Sequence, residues 1–211
     1  KELEDFELFK HKKILKKNTK NKYFPNLNIS YQLILIWLNR HLFYKEISTK
    51  YESDYFCHID WGYFREGGIK NLNIDTDKLK EDKIYLGLIK NEKDYIQDIY
   101  NQIKNWDKKK IEKTLIDNLY SIGGGCTILH NNMIEKWDKI FRDIFSNFIE
   151  KNIDFKDDQT ILRSCALNKK YYQHFELITQ GKGDWFPFKK FLERVDNHEL
   201  EENNFTFLFE Y

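Results

Sequence analysis

The chain has 211 residues, enough for one large domain or two small ones. Its 35 Lys+Arg nearly cancel its 34 Asp+Glu, leaving a formal charge of +1 and no global basic field to draw in nucleic acid. With 41% hydrophobic and 17% aromatic residues the sequence carries enough apolar surface to offset the entropy cost of folding, which excludes a wholly disordered chain.

The first 28 residues are Lys-rich. Positions 10–22 (KHKKILKKNTKNK) read as a solvated segment, with one strand possible near Phe6–Leu15. Pro25-Asn26 breaks the pattern, and Ser30 is positioned to cap a helix running to about Ser48. In it Leu33, Ile34, Trp37, Leu38, His41 and Leu42 recur at three-to-four spacing, the mark of a buried stripe. Tyr55–Ile59 (YFCHI) predicts a short strand that ends on Asp60, and Lys83–Ile89 predicts another. Residues 92–117 read as helical with a break near Asn105-Trp106. Leu119–His130 predicts a strand bent by Gly123, Gly124 and Gly125, and Asn132–Asn152 an amphipathic helix. Asp157 or Asp158 caps a helix through Leu167, Phe175–Ile178 predicts a strand, and Trp185–Arg194 a short helix after the Gly181–Asp184 loop. Asn204–Tyr211 alternates in strand fashion. Strands alternating with helices predict an α/β fold, and without a repeat or a clear linker 1–211 reads as one domain.

Three scattered cysteines without a C-x-x-C pair fit reduced thiols rather than a disulfide framework or a zinc site. The longest apolar run, Leu33–Trp37, is far short of the ~20 residues of a membrane span. No signal-peptide pattern opens the chain, so a cytoplasmic protein is expected, although the chain starts at Lys1 and reads equally as a piece of a longer one.

Four constellations carry candidate chemistry. Asp60 at a strand end points to the crevice where open α/β sheets bind ligands; it reads as a ligand for Mn²⁺ or Mg²⁺, with Arg65 for a phosphate or carboxylate, or as a turn cap with Arg65 its surface partner. The Gly123–Gly125 run admits a close ligand or backbone, or marks a bulge. Asp157-Asp158-Gln159 reads as a helix cap, or as carboxylates that orient a hydroxyl and take its proton. Lys182, between Gly181 and Gly183 and just before Trp185, suits a phosphate. Of the lone histidines, His174 is kept as a distal metal ligand and the others read as structural.

The order of these pieces is a helix with Tyr31, then Y-F-x-x-I-D-W-G-Y-F-R, then G-G-G, a long helix and D-D-Q. It resembles the HtrL/YibB (WlaTC-like) glycosyltransferase-like family over about Ser30 to Leu192. The resemblance implies a GT-A-type, Rossmann-like mixed sheet flanked by helices. Only about thirty residues precede the Tyr31 helix, so the N-terminal nucleotide half is expected to be abbreviated. It implies a glycosyltransferase that moves a sugar from a nucleotide-sugar donor to a hydroxyl of a glycan or glycoprotein, with Mn²⁺ or Mg²⁺. Asp60 (with His174) would hold the metal, and Asp158, Asp157 and Gln159 would be catalytic. Trp61, Arg65, Gly123, Gly124, Gly125, Lys182 and Trp185 would contact donor or acceptor. Asp60 is followed by Trp61-Gly62 rather than a second acid. The alternative is therefore a degenerate GT-A-like binding or interaction module.

Overall fold

The computed structural model describes residues 2–19, 29–60, 76–89, 93–116, 122–178 and 188. Trp61, Arg65, Lys182 and Trp185 lie outside the described residues, as do the expected helix at 185–194 and strand at 204–211.

Four strands form one mixed sheet: β1 (Tyr55–Ile59), β2 (Ile84–Leu88), β3 (Ile122–His130) and β4 (Phe175–Ile178), in the order β1-β3-β2-β4. β3 runs antiparallel to both β1 and β2, and β4 runs parallel to β2. The β1, β2 and β4 carboxyl ends therefore share one edge of the sheet. The period-2 alternation of strand side chains divides the core in two. Phe56, Ile84, Leu86, Leu88, Ile122 and Leu129 join the large helix-covered core, while Cys57, Tyr85, Cys126 and Ile128 face a smaller cluster with Leu79 and Phe188. This sheet and its helices bear out the α/β expectation.

The helices are α1 (Lys12–Thr19), α2 (Tyr31–Leu38), α3 (Arg40–Ser48), α4 (Lys93–Lys104), α5 (Lys108–Ile116), α6 (Ile134–Glu150) and α7 (Asp158–Ala166). α6 follows its sequence stripe: Ile134, Trp137, Ile140, Phe141, Ile144, Phe145 and Phe148 are buried at three-to-four spacing. Each such side chain contributes roughly 1.5–3 kcal/mol on burial. The break expected near Trp106 falls there, with Trp106 at φ 47°.

Two expectations need correction. The segment near Phe6–Leu15 is not a strand: Glu7–His11 is a 3₁₀ turn leading into α1, and Leu8, Leu15 and Asn18 are buried. The lysines of 10–19 thus edge a packed helix rather than a solvated tail, because Leu8 and Leu15 give it an apolar side. The single helix expected from Ser30 to Ser48 is two. Ser30 caps α2 through its hydroxyl, which accepts from the Leu33 N–H at 3.2 Å. At the other end the buried Asn39 turns its side-chain amide back onto the Leu35 carbonyl at 2.7 Å. That amide competes with the helical hydrogen-bond ladder and ends α2 without a proline. α3 then starts at Arg40. No helix among the described residues is long and apolar enough to cross a membrane.

Candidate functional site

Arg40 is the hub. Its Nη1 donates to the Gly124 carbonyl at 2.8 Å and to Asp158 Oδ2 at 3.0 Å, and its Nη2 donates to Asp60 Oδ1 at 2.7 Å. Three elements remote in sequence therefore meet on one guanidinium: the end of β1, the glycine stretch of β3 and the first turn of α7. The planar fork of arginine supplies donors in the fixed directions this needs, and an ammonium would not. The Arg40 side chain is 13% exposed, with its Cζ 5.9 Å from the Trp37 ring centroid one turn earlier.

The glycines make the meeting possible. β3 pairs with β2 as Leu86↔Thr127 and then Gly87↔Gly123, so residues 124–126 bulge out of that ladder. β1 continues along them, and the Asp60 N–H donates to the Gly125 carbonyl at 2.8 Å. A Cβ on Gly124 would lie 2.9 Å from Asp158 Oδ2 and 3.2 Å from Oδ1, so only glycine admits the carboxyl. At Gly123 the nearest atoms would be at 3.7 Å, an ordinary contact.

The two acids differ sharply. The Asp60 side chain is 38% exposed, whereas that of Asp158 is 6% exposed and lies behind Arg40. Burial pushes the Asp158 carboxyl up to about 7; Arg40 opposes this, and the charges of Asp157 and Asp60 add to it. Asp157, the residue that caps α7, is buried too, and burial raises its carboxyl. His58 stands two residues before Asp60 on the same face of β1, with Nε2 3.6 Å from Asp60 Oδ1. That buried nitrogen has no hydrogen-bond partner, and burial, with Arg40, lowers the imidazole to about 4, so the ring is neutral. Beside this cluster a cavity of about 500 Å³ opens between α2–α3 and β1, lined by Trp37, Tyr44, Phe56 and Ile36, with Arg40 and Asp60 at its polar end.

The structure thus brings Asp60, Gly124 and Asp158 together, with Gly125 fixing the Asp60 backbone. Gly123 faces Ile89 instead, and Asp157 and Gln159 flank the cluster on α7. His174 lies elsewhere. It precedes β4, at the opposite end of the sheet and on the opposite edge strand from Asp60, beside Lys83 and Lys136. It shares no site with Asp60. Sequence reasoning missed Arg40 and His58. Arg40 does leave a signal: it falls on the stripe Leu33–Trp37–Arg40–Tyr44, with no acid three or four residues away to pair it locally.

The cluster fits a divalent cation poorly. Among the described residues no three His, Cys, Asp or Glu side chains group as ligands. Asp60 and His58 supply at most two oxygens and one nitrogen, and Asp60 Oδ1 already carries the Arg40 guanidinium. A cation there would sit against a fixed positive charge.

Residues 1–193 match a family model described as "Bacterial protein of unknown function (HtrL_YibB)". The chain belongs to the HtrL/YibB family. Comparison with curated proteins and with solved structures gave no match. Membership bears out the resemblance carried by the I-D-W-G-Y-F-R, G-G-G and D-D-Q elements, and each of the three contributes a residue to the Arg40 hub: Asp60, Gly124 and Asp158.

Proposed function

We propose that this HtrL/YibB chain is a glycosyltransferase with a GT-A-type arrangement, acting in the cytoplasm on a nucleotide-sugar donor and a hydroxyl of a glycan or protein acceptor. The observation that carries the reading is the convergence of Asp60, Gly124 and Asp158 on Arg40 beside a cavity lined by α2, α3 and β1. Asp60 opens to the cavity while Asp158, raised by burial, stands behind the same guanidinium, and perturbed carboxyls gathered at a cleft are a mark of functional sites.

In this reading Asp60 is the acid that touches substrate, because it alone of the two reaches the cavity. It accepts the proton of the acceptor hydroxyl while that oxygen bonds to the anomeric carbon and the nucleoside diphosphate departs, a path that inverts the sugar. Arg40 fixes the Asp60 carboxylate in place. Asp158, enclosed behind Arg40, is a positioning residue rather than the base that its sequence context led us to expect. No step depends on a metal ion.

The test is turnover of a panel of sugar nucleotides with hydroxyl acceptors, comparing wild type with Asp60→Asn. Loss of a general base lowers the rate by about 10²–10⁴-fold, and that loss with an unchanged melting temperature is the expected result. Turnover that survives in Asp60→Asn overturns the assignment. If calorimetry finds no nucleotide sugar that binds the wild-type chain, the degenerate binding module replaces the transferase.

A further inference from the structure

Cys57 on β1 and Cys126 on β3 lie on the sheet face away from the Arg40 hub, with their sulfurs 3.9 Å apart. The register explains the approach. Cys57 pairs with Ile128 and Ile59 with Cys126, so the two thiols are diagonal neighbours across one antiparallel ladder, pointing to the same side. Diagonal neighbours on such a ladder usually lie about 7–8 Å apart, so it is the 3.9 Å between these two sulfurs that brings the pair near bonding range, and closing the bond draws β1 and β3 together. Cys57 is half-buried, Cys126 is buried, and Cys165 is buried in the helix-side core away from both. All three are free thiols.

We propose that Cys57 and Cys126 are a redox-responsive dithiol that closes to a disulfide by exchange with a low-molecular-weight disulfide such as glutathione disulfide. The Cys57 thiolate attacks one sulfur of the small disulfide, and one thiol leaves. The Cys126 thiolate then attacks the Cys57 sulfur of the mixed disulfide, and the second thiol leaves. Two protein thiols are oxidised, one disulfide is reduced, and the two protons end on the two released thiols. Cys57 acts first because it is the accessible one of the pair, while burial raises the Cys126 thiol.

The position gives the bond a consequence. Among the described strands β1 is an edge strand, paired only with β3. Cys57 lies three residues before Asp60, and Cys126 directly follows Gly125, whose carbonyl holds the Asp60 N–H. A Cys57–Cys126 bond staples the end of β1 to β3 where Asp60 is delivered to the hub. The inference stands on the thiol geometry alone and holds whatever reaction the hub performs.

The experiment treats the folded wild-type chain with glutathione disulfide, quenches with an alkylating reagent and maps the peptides by mass spectrometry. Alkylatable thiols are expected to fall from three to one, with a linked peptide joining Cys57 to Cys126 and Cys165 still free. Cys165→Ser should keep the link, and Cys57→Ser should leave Cys126 alkylatable once the quenched chain is denatured. Glutathione retained on Cys57 as a stable mixed disulfide, or both thiols left free, overturns the proposal. The wild-type mapping decides the matter even where a variant folds poorly.

Discussion

Two arginines each hold two carboxylates in this molecule, and they do opposite things. Arg142 on α6 binds Asp138 through Nε at 2.7 Å and Glu7 through Nη2 at 2.6 Å, with a second, Nη1 contact to Glu7. Lys45 adds contacts to Glu135 at 2.7 Å and Asp138 at 2.9 Å, so charges alternate at the surface. There the Arg142 hydrogen bond holds Glu7 below its ordinary value, and the guanidinium itself is held further up. This cluster ties the N-terminal 3₁₀ turn to α6 with every charge satisfied. Arg40 sits deeper, and its partner Asp158 is driven the other way, up to about 7, because burial outweighs the attraction of one guanidinium shared between two acids. The lesson is that pairing alone does not mark a site. A carboxyl raised by burial, held against the same arginine as an acid that opens to a cavity, points to one.

The largest expected effect tests that contrast. Arg40→Met leaves Asp158 enclosed without its cation and should cost about 3–5 kcal/mol in urea unfolding at pH 8, the scale for breaking a buried pair. Arg142→Met, on a more exposed pair, should cost about 1 kcal/mol or less. Equal losses would erase the distinction. Arg40→Lys should recover little, since one ammonium cannot reach three acceptors on separate elements.

A second effect appears in the pH dependence. The folded state raises Asp158, so its contribution to stability is complete below the unfolded value of about 4 and is lost as the pH climbs through about 7. Asp158→Asn removes the titration. The stability advantage of wild type over the variant should therefore shrink by a few kcal/mol between pH 4 and pH 8, read from paired melts. A difference that stays constant over this range would show that Asp158 titrates like an ordinary surface acid.

The smallest effect concerns the glycines. Gly124→Ala puts a methyl 2.9 Å from the Asp158 carboxyl and should cost about 1–3 kcal/mol, the usual penalty for overpacking. Gly123→Ala meets only ordinary contacts and should be neutral or stabilising by up to about 1 kcal/mol, as alanine orders a strand better than glycine. If the two substitutions behave alike, the fit between Gly124 and Asp158 is not what the bulge is for.

What could be read from the sequence was whatever local periodicity encodes. The α6 stripe, the strands at Tyr55–Ile59 and Phe175–Ile178, and the helix that starts beside Asp158 were legible because burial repeats along the chain at the period of the element. The grouping of Asp60 with the glycines and Asp158 was legible only through the order of motifs in a family. The hub itself was not. Arg40 looks like one polar residue in an amphipathic helix, and its partners lie 20, 84 and 118 positions away. Its placement depends on Asn39 ending α2, on the β1–β3 register and on the β2–β3 bulge, three non-local facts that no spacing in the sequence records. The N-terminal lysines misled for the converse reason: charge density hid Leu8 and Leu15, which bury α1 and the turn before it.

Asp158 is a buried carboxyl that burial raises and Arg40 lowers. Carbon-detected NMR titration of that carboxyl, assigned by comparison with Asp158→Asn, measures this directly. A midpoint near 7 in the wild-type chain, moving higher still in Arg40→Met, is the predicted result. A midpoint near the ordinary aspartate value of about 4, unmoved by loss of Arg40, would contradict it.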